Sequence, residues 1–255
     1  MNMFLVDNAE SMMDYWYEAT FVLEVLVDMA KGLDEDGIDL QFTTGTTKLE
    51  GKDSSNKFVA SMKQARPTKG ARTDSRLSLG NILEPYANKL RNKEKFPSVK
   101  VKDLVLIVLT DGIWAGMPDK YAIAAQLKNI SKKVDYHLKQ RPFSVQFIQF
   151  GDDAAATQAF RDLDDCFDNG DVPDFIDTEH SKGDVNKMLL GSFVEAYDRD
   201  DGDDYNSFDS PLPDHSIISP PTYQSFESHE VRHELANGGN FPFPQRPTQD
   251  HRSFS

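Results

Sequence analysis

The stretch Leu104-Val105-Leu106-Ile107-Val108-Leu109-Thr110-Asp111-Gly112 decides the fold. An unbroken aliphatic run of this length is too short to cross a membrane and suits a strand buried on both faces. It stops at Asp-Gly, a pair that favours a turn. A second stretch repeats the pattern: Met3-Phe4-Leu5-Val6, then Asp7-Asn8-Ala9-Glu10-Ser11. The chain therefore holds two buried strands that each close on an aspartate. The first begins almost at residue 1, where a central strand usually has a lead-in. A start further upstream is one expectation from this.

Outward from these two strands, the pattern alternates. Ile38 to Thr43, Phe143 to Phe150 and Asp174 to Thr178 read as further strands, and 44–53 as a hairpin with a short edge strand. Asp34-Glu35-Asp36-Gly37 is a turn, and Pro67 to Thr73 a loop. Helical spacing places Phe21, Val22, Val25, Leu26 and Met29 on a helix over 12–31. Phe58, Val59 and Met62 mark a short helix, and Leu77 to Leu90 a longer one. Pro118 to Leu138, Ala154 to Phe167 and Gly183 to Tyr197 complete the helices, Pro118 suiting a first turn. Strands alternating with helices predict an α/β fold: a doubly wound, mainly parallel, Rossmann-like sheet flanked by helices. From Asp198 onward the composition shifts to Asp200-Asp201-Gly202-Asp203-Asp204 and then to Pro, Ser, Asn and His without apolar periodicity. The reading is one domain over 1–197 and a disordered tail over 198–255.

Composition narrows the function. The 255 residues carry a formal net charge of −14. Nucleic acid and anionic membranes need clustered Lys and Arg, so neither is expected as the main partner. The single cysteine, Cys166, permits no internal disulfide. No apolar run approaches the roughly 20 residues of a membrane span, and no basic segment opens the chain. An intracellular, cytoplasmic setting is expected.

In open parallel sheets, ligands sit beyond the carboxyl ends of the strands, where the strand order reverses. If the two aspartate-ended strands are neighbours there, Asp7 and Asp111 face one crevice, and Ser11 and Thr73 can join them. Such hard oxygen ligands suit Mg²⁺, Mn²⁺ or Ca²⁺ and not zinc.

These residues resemble the von Willebrand factor type A (vWA) family. Its metal-ion-dependent adhesion site has D-x-S-x-S after the first strand, a Thr in a later loop and an Asp after strand four. Asp7 and Ser11 match the ends of D-x-S-x-S, Thr73 in Gly70-Ala71-Arg72-Thr73-Asp74 matches the loop, and Asp111 matches the strand-four position. Ala9 stands where the family has its middle Ser, so one hydroxyl ligand is lost and water must replace it. The resemblance spans roughly 3–197. Asp36-Gly37-Ile38-Asp39-Leu40 and Phe147-Ile148-Gln149-Phe150-Gly151 are similar to intracellular, fungal-type members. It implies a cation-dependent protein-binding module, not an enzyme. The ion would be Mg²⁺, or Mn²⁺ or Ca²⁺, and its open position would take an acidic group of a protein partner. Trp114 and Glu10 are candidates for the partner-binding rim.

Two alternatives share the residues. The polar groups can merely cap turns, leaving a metal-free interaction domain of the same fold. A haloacid dehalogenase-like phosphatase would use Asp7 as nucleophile with Thr110 and Asp152-Asp153. Ala9 occupies the place where that chemistry needs a second Asp as general acid. His229-Glu230-Val231-Arg232-His233 matches a zinc protease motif but sits among Pro and Gly with no apolar helix face. Cys166 reads as a packed thiol, Tyr15-Trp16-Tyr17 as core aromatics, and Lys128, Lys132, Lys133 and Lys139 as a solvated face. Deleting 199–255 is expected to change Tm by less than about 2 °C, under about 1 kcal/mol. A larger fall in a thermal melt would show that the tail packs on the domain.

Overall fold

The computed structural model describes residues 1–30, 37–51, 55–95, 101–117, 119, 122–134, 143–167 and 174–190. The strands are β1 (Asn2–Val6), β2 (Ile38–Phe42), β3 (Lys48–Leu49), β4 (Leu104–Thr110), β5 (Phe143–Gln149) and β6 (Ile176–His180). The helices are α1 (Trp16–Ala30), α2 (Ser55–Gln64), α3 (Ser75–Lys95), α4 (Ala122–Ser131), α5 (Ala154–Asp164) and α6 (Val185–Leu190). The sheet order is β3-β2-β1-β4-β5-β6. Every pairing is parallel except β2 with the edge strand β3. This is the doubly wound α/β arrangement, and its order reverses between β1 and β4.

The period-2 alternation of strand side chains builds a core on each face of the sheet. Phe4 and Val6 of β1 join Val105, Ile107 and Leu109 of β4 on the face covered by α1, α2 and α6. Met3 and Leu5 join Leu104, Leu106 and Val108 on the opposite face, under α3, α4 and α5. Both strands are buried throughout. That is why their sequences are continuously apolar and show no polar alternation.

Three differences from the sequence reading have physical causes. The helix expected over 12–31 is split: a 3-10 turn spans Glu10–Met13, and α1 starts only at Trp16. Close i to i+3 bonds hold that turn, from Met12 N to Ala9 O at 3.1 Å and from Tyr15 N to Met12 O at 3.1 Å. The aromatic cluster does not pack as a unit. Trp16 is buried, tilted 6.2 Å from Phe42, and donates its indole N–H to Met62 O. Tyr17, one position on and therefore about 100° around the helix, is 84% exposed. Phe21 and Met29, counted above with the apolar spacing of the first helix, are also exposed.

The remaining helices lie within or close to their expected spans, and α3 continues through Pro85 to Lys95. The expected turn at 34–36, Pro118, Lys139, residues 191–197 of the last expected helix and the whole 198–255 tail, with its acidic run and His229 to His233, lie outside the described residues. Among the described residues no helix is long and apolar enough to cross a membrane.

Candidate metal centre at the switch point

β1 and β4 are hydrogen-bonded neighbours in register, with Val6 beside Leu109. The ladder runs one residue past β1, since Asp7 N donates to Leu109 O at 2.8 Å. Asp7 and Asp111 therefore emerge side by side at the carboxyl ends of adjacent strands. This is the position that the switch-point rule marks for ligands.

Asp7 is fully buried. Its Oδ1 accepts from the Thr73 hydroxyl at 2.6 Å, the Thr43 hydroxyl at 3.1 Å and the Ala9 N–H at 3.1 Å. Its Oδ2 accepts from the Thr110 hydroxyl at 2.8 Å. Thr43 and Thr73 lie 2.7 Å apart, and the Asn8 N–H donates to Thr43 at 3.2 Å. The end of β2, the loop before α3 and the end of β4 are thus gathered on one carboxylate.

Asp111 is 1% exposed and differs in one atom. Oδ1 accepts from Ile113 N at 2.9 Å, while Oδ2 is buried with no hydrogen-bond partner. Burial raises the carboxyl pKa above its ordinary value. The Ile113 N–H and the Ser11 hydroxyl oppose that rise, and the charge of Asp7 adds to it. A buried acceptor without a donor costs about 1–3 kcal/mol, and more when charged. Either a proton or a cation would relieve it.

Ser11 is half-buried; its hydroxyl lies 3.5 Å from Ile113 O and also interacts with the Asp111 carboxyl. The Thr73 hydroxyl retains an oxygen lone pair after donating to Asp7. Asp111, Ser11, Thr73 and Asp7 are therefore drawn together and offer oxygen donors alone, which fits a hard divalent cation. Ala9 is buried beside them and offers no side-chain oxygen. Among the described residues there is no cluster of three or more His, Cys, Asp or Glu suited to a metal.

The two rim candidates take other places. Glu10 is exposed, and its carboxylate accepts from Gly70 N at 2.8 Å while its own N–H bonds Ala71 O at 2.9 Å. It clasps the Thr73 loop to the turn after β1. The Trp114 ring is folded back as a T-shaped neighbour of Phe160 at 5.5 Å, and its indole N–H donates to Thr110 at 3.0 Å. An indole N–H needs an acceptor when it is covered, and Thr110 supplies one. The exposed apolar side chain beside the site is instead Ile113, at 41%.

Sequence reasoning missed Thr43 as a partner of Asp7 and gave Thr110 only a phosphatase role. Both are hydroxyls at the carboxyl ends of strands flanking or forming the switch point, and that position was the available signal. The acids of the phosphatase alternative are otherwise engaged. Asp153 caps α5 through Ala155 N and Ala156 N. Asp152, at the surface, pairs with His180 at 3.2 Å and Lys182 at 3.6 Å. Cys166 is partly buried, and burial pushes its thiol up to about 11.

No protein-family model and no curated protein matches the chain. Solved structures give weak likenesses. An aerotolerance-related membrane protein from Bacteroides fragilis aligns at 15% identity and TM-score 0.36, over 59% of this chain and 67% of that one. The conserved hypothetical protein BatB from Bacteroides thetaiotaomicron aligns at 16% and 0.35, over 58% and 65%. Proximal thread matrix protein 1 from the mussel byssus aligns at 15% and 0.36, over 75% of this chain but 44% of its own. At such scores the fold rests on this chain's own topology.

Two outcomes follow from the geometry. A carboxyl whose folded pKa is raised adds stability below its unfolded value, near 3.8, and that stability is lost as pH rises through the folded value. In EDTA, Asp111→Asn is expected to stabilise the protein at about pH 7, with the gain shrinking towards about pH 4. Urea unfolding at the two pH values measures it, and an equal gain at both excludes titration of Asp111. Thr110→Val keeps the shape but deprives Asp7 Oδ2, the Gly112 N–H and the Trp114 indole of a partner. It is expected to cost about 1–3 kcal/mol in the same assay.

Proposed function

We propose that this domain is a divalent-cation-dependent protein-binding module whose ion is held by Asp7, Ser11, Thr73 and Asp111. The observation that carries this reading is the buried, partnerless Oδ2 of Asp111 beside the Asp7 carboxylate at the switch point. A divalent ion offsets both negative charges at once, whereas a proton offsets one. Mg²⁺ is the first choice because it tolerates retained waters, one of which takes the place left by Ala9; Mn²⁺ and Ca²⁺ are the alternatives. When bound, the ion supplies a Lewis-acidic position for a carboxylate of a protein partner. The chain's residues orient that position: Glu10 holds the Thr73 loop, and the Thr110 to Trp114 bond shapes the turn after β4. The vWA resemblance supports the same assignment, and the doubly wound sheet it implies is present. The expectation of a binding module over an enzyme, in an intracellular setting, belongs to this proposal.

A second reading rests on a specific observation. The Asp7 network closes on Thr73, Thr43, Thr110 and Ala9 without a cation. A metal-free interaction domain of the same fold is consistent with that closure.

Calorimetric titration with Mg²⁺ and Mn²⁺, together with thermal melts, separates the two. The cation-dependent reading expects stabilisation of about 2.7 kcal/mol at a hundredfold excess over Kd. Asp111→Ala should abolish it. Ala9→Ser, by supplying the absent hydroxyl, should tighten Mg²⁺ about tenfold, roughly 1.4 kcal/mol. That gain should vanish in the double variant, because both residues act on one ion. Absence of binding by every variant at roughly millimolar ion would establish the metal-free reading. Turnover of an aryl phosphate, lost in Asp7→Asn, would overturn both in favour of a phosphatase.

A further inference from the structure

Helix α1 has two apolar faces. Trp16, Ala19, Leu23, Leu26 and Val27 are buried in the domain core. On the outer side Tyr17 is 84% exposed, Phe21 48% and Met29 37%, with half-buried Val25 between the last two. Met13, 44% exposed, precedes them on the 3-10 turn. Positions 17, 21, 25 and 29 are four apart, so they form one continuous ridge along the helix. Scattered exposed apolar residues are ordinary, but an ordered row of large ones is a mark of an interaction surface.

On α1 and the turn before it, the charges beside the ridge are acidic. Asp14, Glu18 and Glu24 lie along it, and α1 from Trp16 to Ala30 contains no Lys or Arg. Glu18 is held in place, its Oε1 accepting from the Ser181 hydroxyl at 2.6 Å. This charge pattern selects among occupants. In a two-fold contact between copies centred on Phe21, Glu18 of one copy would face Glu24 of the other, which is repulsive. An anionic membrane surface would meet the same acids.

We propose that the outer ridge of α1 docks a basic amphipathic helix of a protein partner. The partner's apolar residues, at i and i+4, lie against Tyr17, Phe21 and Val25, and its flanking Lys or Arg meet Glu18 and Glu24. Rows with four-residue spacing on both helices interlock at a crossing angle of about −50° and an axis separation of about 8–10 Å. The surface is independent of the ion proposed at Asp7 and Asp111, because none of these side chains belongs to that site.

The test uses the full chain and two fluorescein-labelled synthetic helical peptides of about 20 residues. One carries Leu in an i, i+4 row bordered by Lys; the other has every Lys replaced by Glu. Fluorescence anisotropy is expected to give a Kd on the order of 1–10 µM for the basic peptide, weakening with added salt, and no binding for the acidic one. Tyr17→Ala with Phe21→Ala should weaken binding about tenfold or more. Glu18→Gln with Glu24→Gln should flatten the salt dependence. All four positions lie outside the core, and far-ultraviolet circular dichroism checks that the fold is retained. Equal binding of both peptides, no binding of either, or binding unchanged by the Tyr17 and Phe21 substitutions overturns the proposal. A dimer in sedimentation velocity that Tyr17→Ala dissolves overturns it in favour of a second copy.

Discussion

The architecture of this domain at the carboxyl edge of its sheet depends on one buried carboxylate. Asp7 leaves a central strand at a point sealed from water, and a charge there is tolerated only if donors reach it. Those donors come from elsewhere in the chain: Thr43 after β2, Thr73 before α3 and Thr110 at the end of β4. Satisfying Asp7 therefore also fixes the spacing of the loops that surround it. The Glu10 clasp on Gly70 and the bond from Gly116 N to Thr73 O at 2.9 Å tighten the same arrangement. A Cβ at Gly116 would stand 2.7 Å from that carbonyl, so the loop after β4 approaches the Thr73 loop only because residue 116 is Gly.

Asp111 is the counterpart whose needs the protein leaves open. The two aspartates occupy equivalent places at the ends of paired strands, yet one is surrounded by hydroxyls and the other keeps a buried oxygen with no donor. The two carboxylates thus differ in how far the fold satisfies them. Asp153 at the start of α5, by comparison, is satisfied by the Ala155 and Ala156 N–H groups. Ile113 N bonds Oδ1, and Oδ2 is left without a hydrogen-bond partner.

Helix α1 shows a related division between what packing uses and what it leaves. A helix on an open sheet has one stripe to bury, and Trp16, Leu23, Leu26 and Val27 fill it. Tyr17, Phe21 and Met29 are also large and largely apolar but lie outside the arc that faces the sheet. Apolar periodicity counts both sets and cannot tell an inner stripe from an outer one.

The sequence by itself determined the layer architecture and the places where chemistry would gather. Continuous burial of β1 and β4 forces their apolar composition, so Leu104 to Leu109 and Met3 to Val6 were legible as central strands. Asp7 and Asp111 stood out because a polar residue directly after such a strand must lie at the sheet's carboxyl edge, whereas Thr73 was singled out through the vWA resemblance. Tertiary structure alone decided which groups meet. That Thr43 and Thr110 bind Asp7, that Trp114 turns inward while Ile113 stays out, and that Asp111 keeps a free oxygen are contacts across up to 103 residues of chain. Local pattern records the environment a residue needs. Hydrogen-bond partnership is set by strand order, register and the few ångströms between loops, and these exist only once β1 lies between β2 and β4.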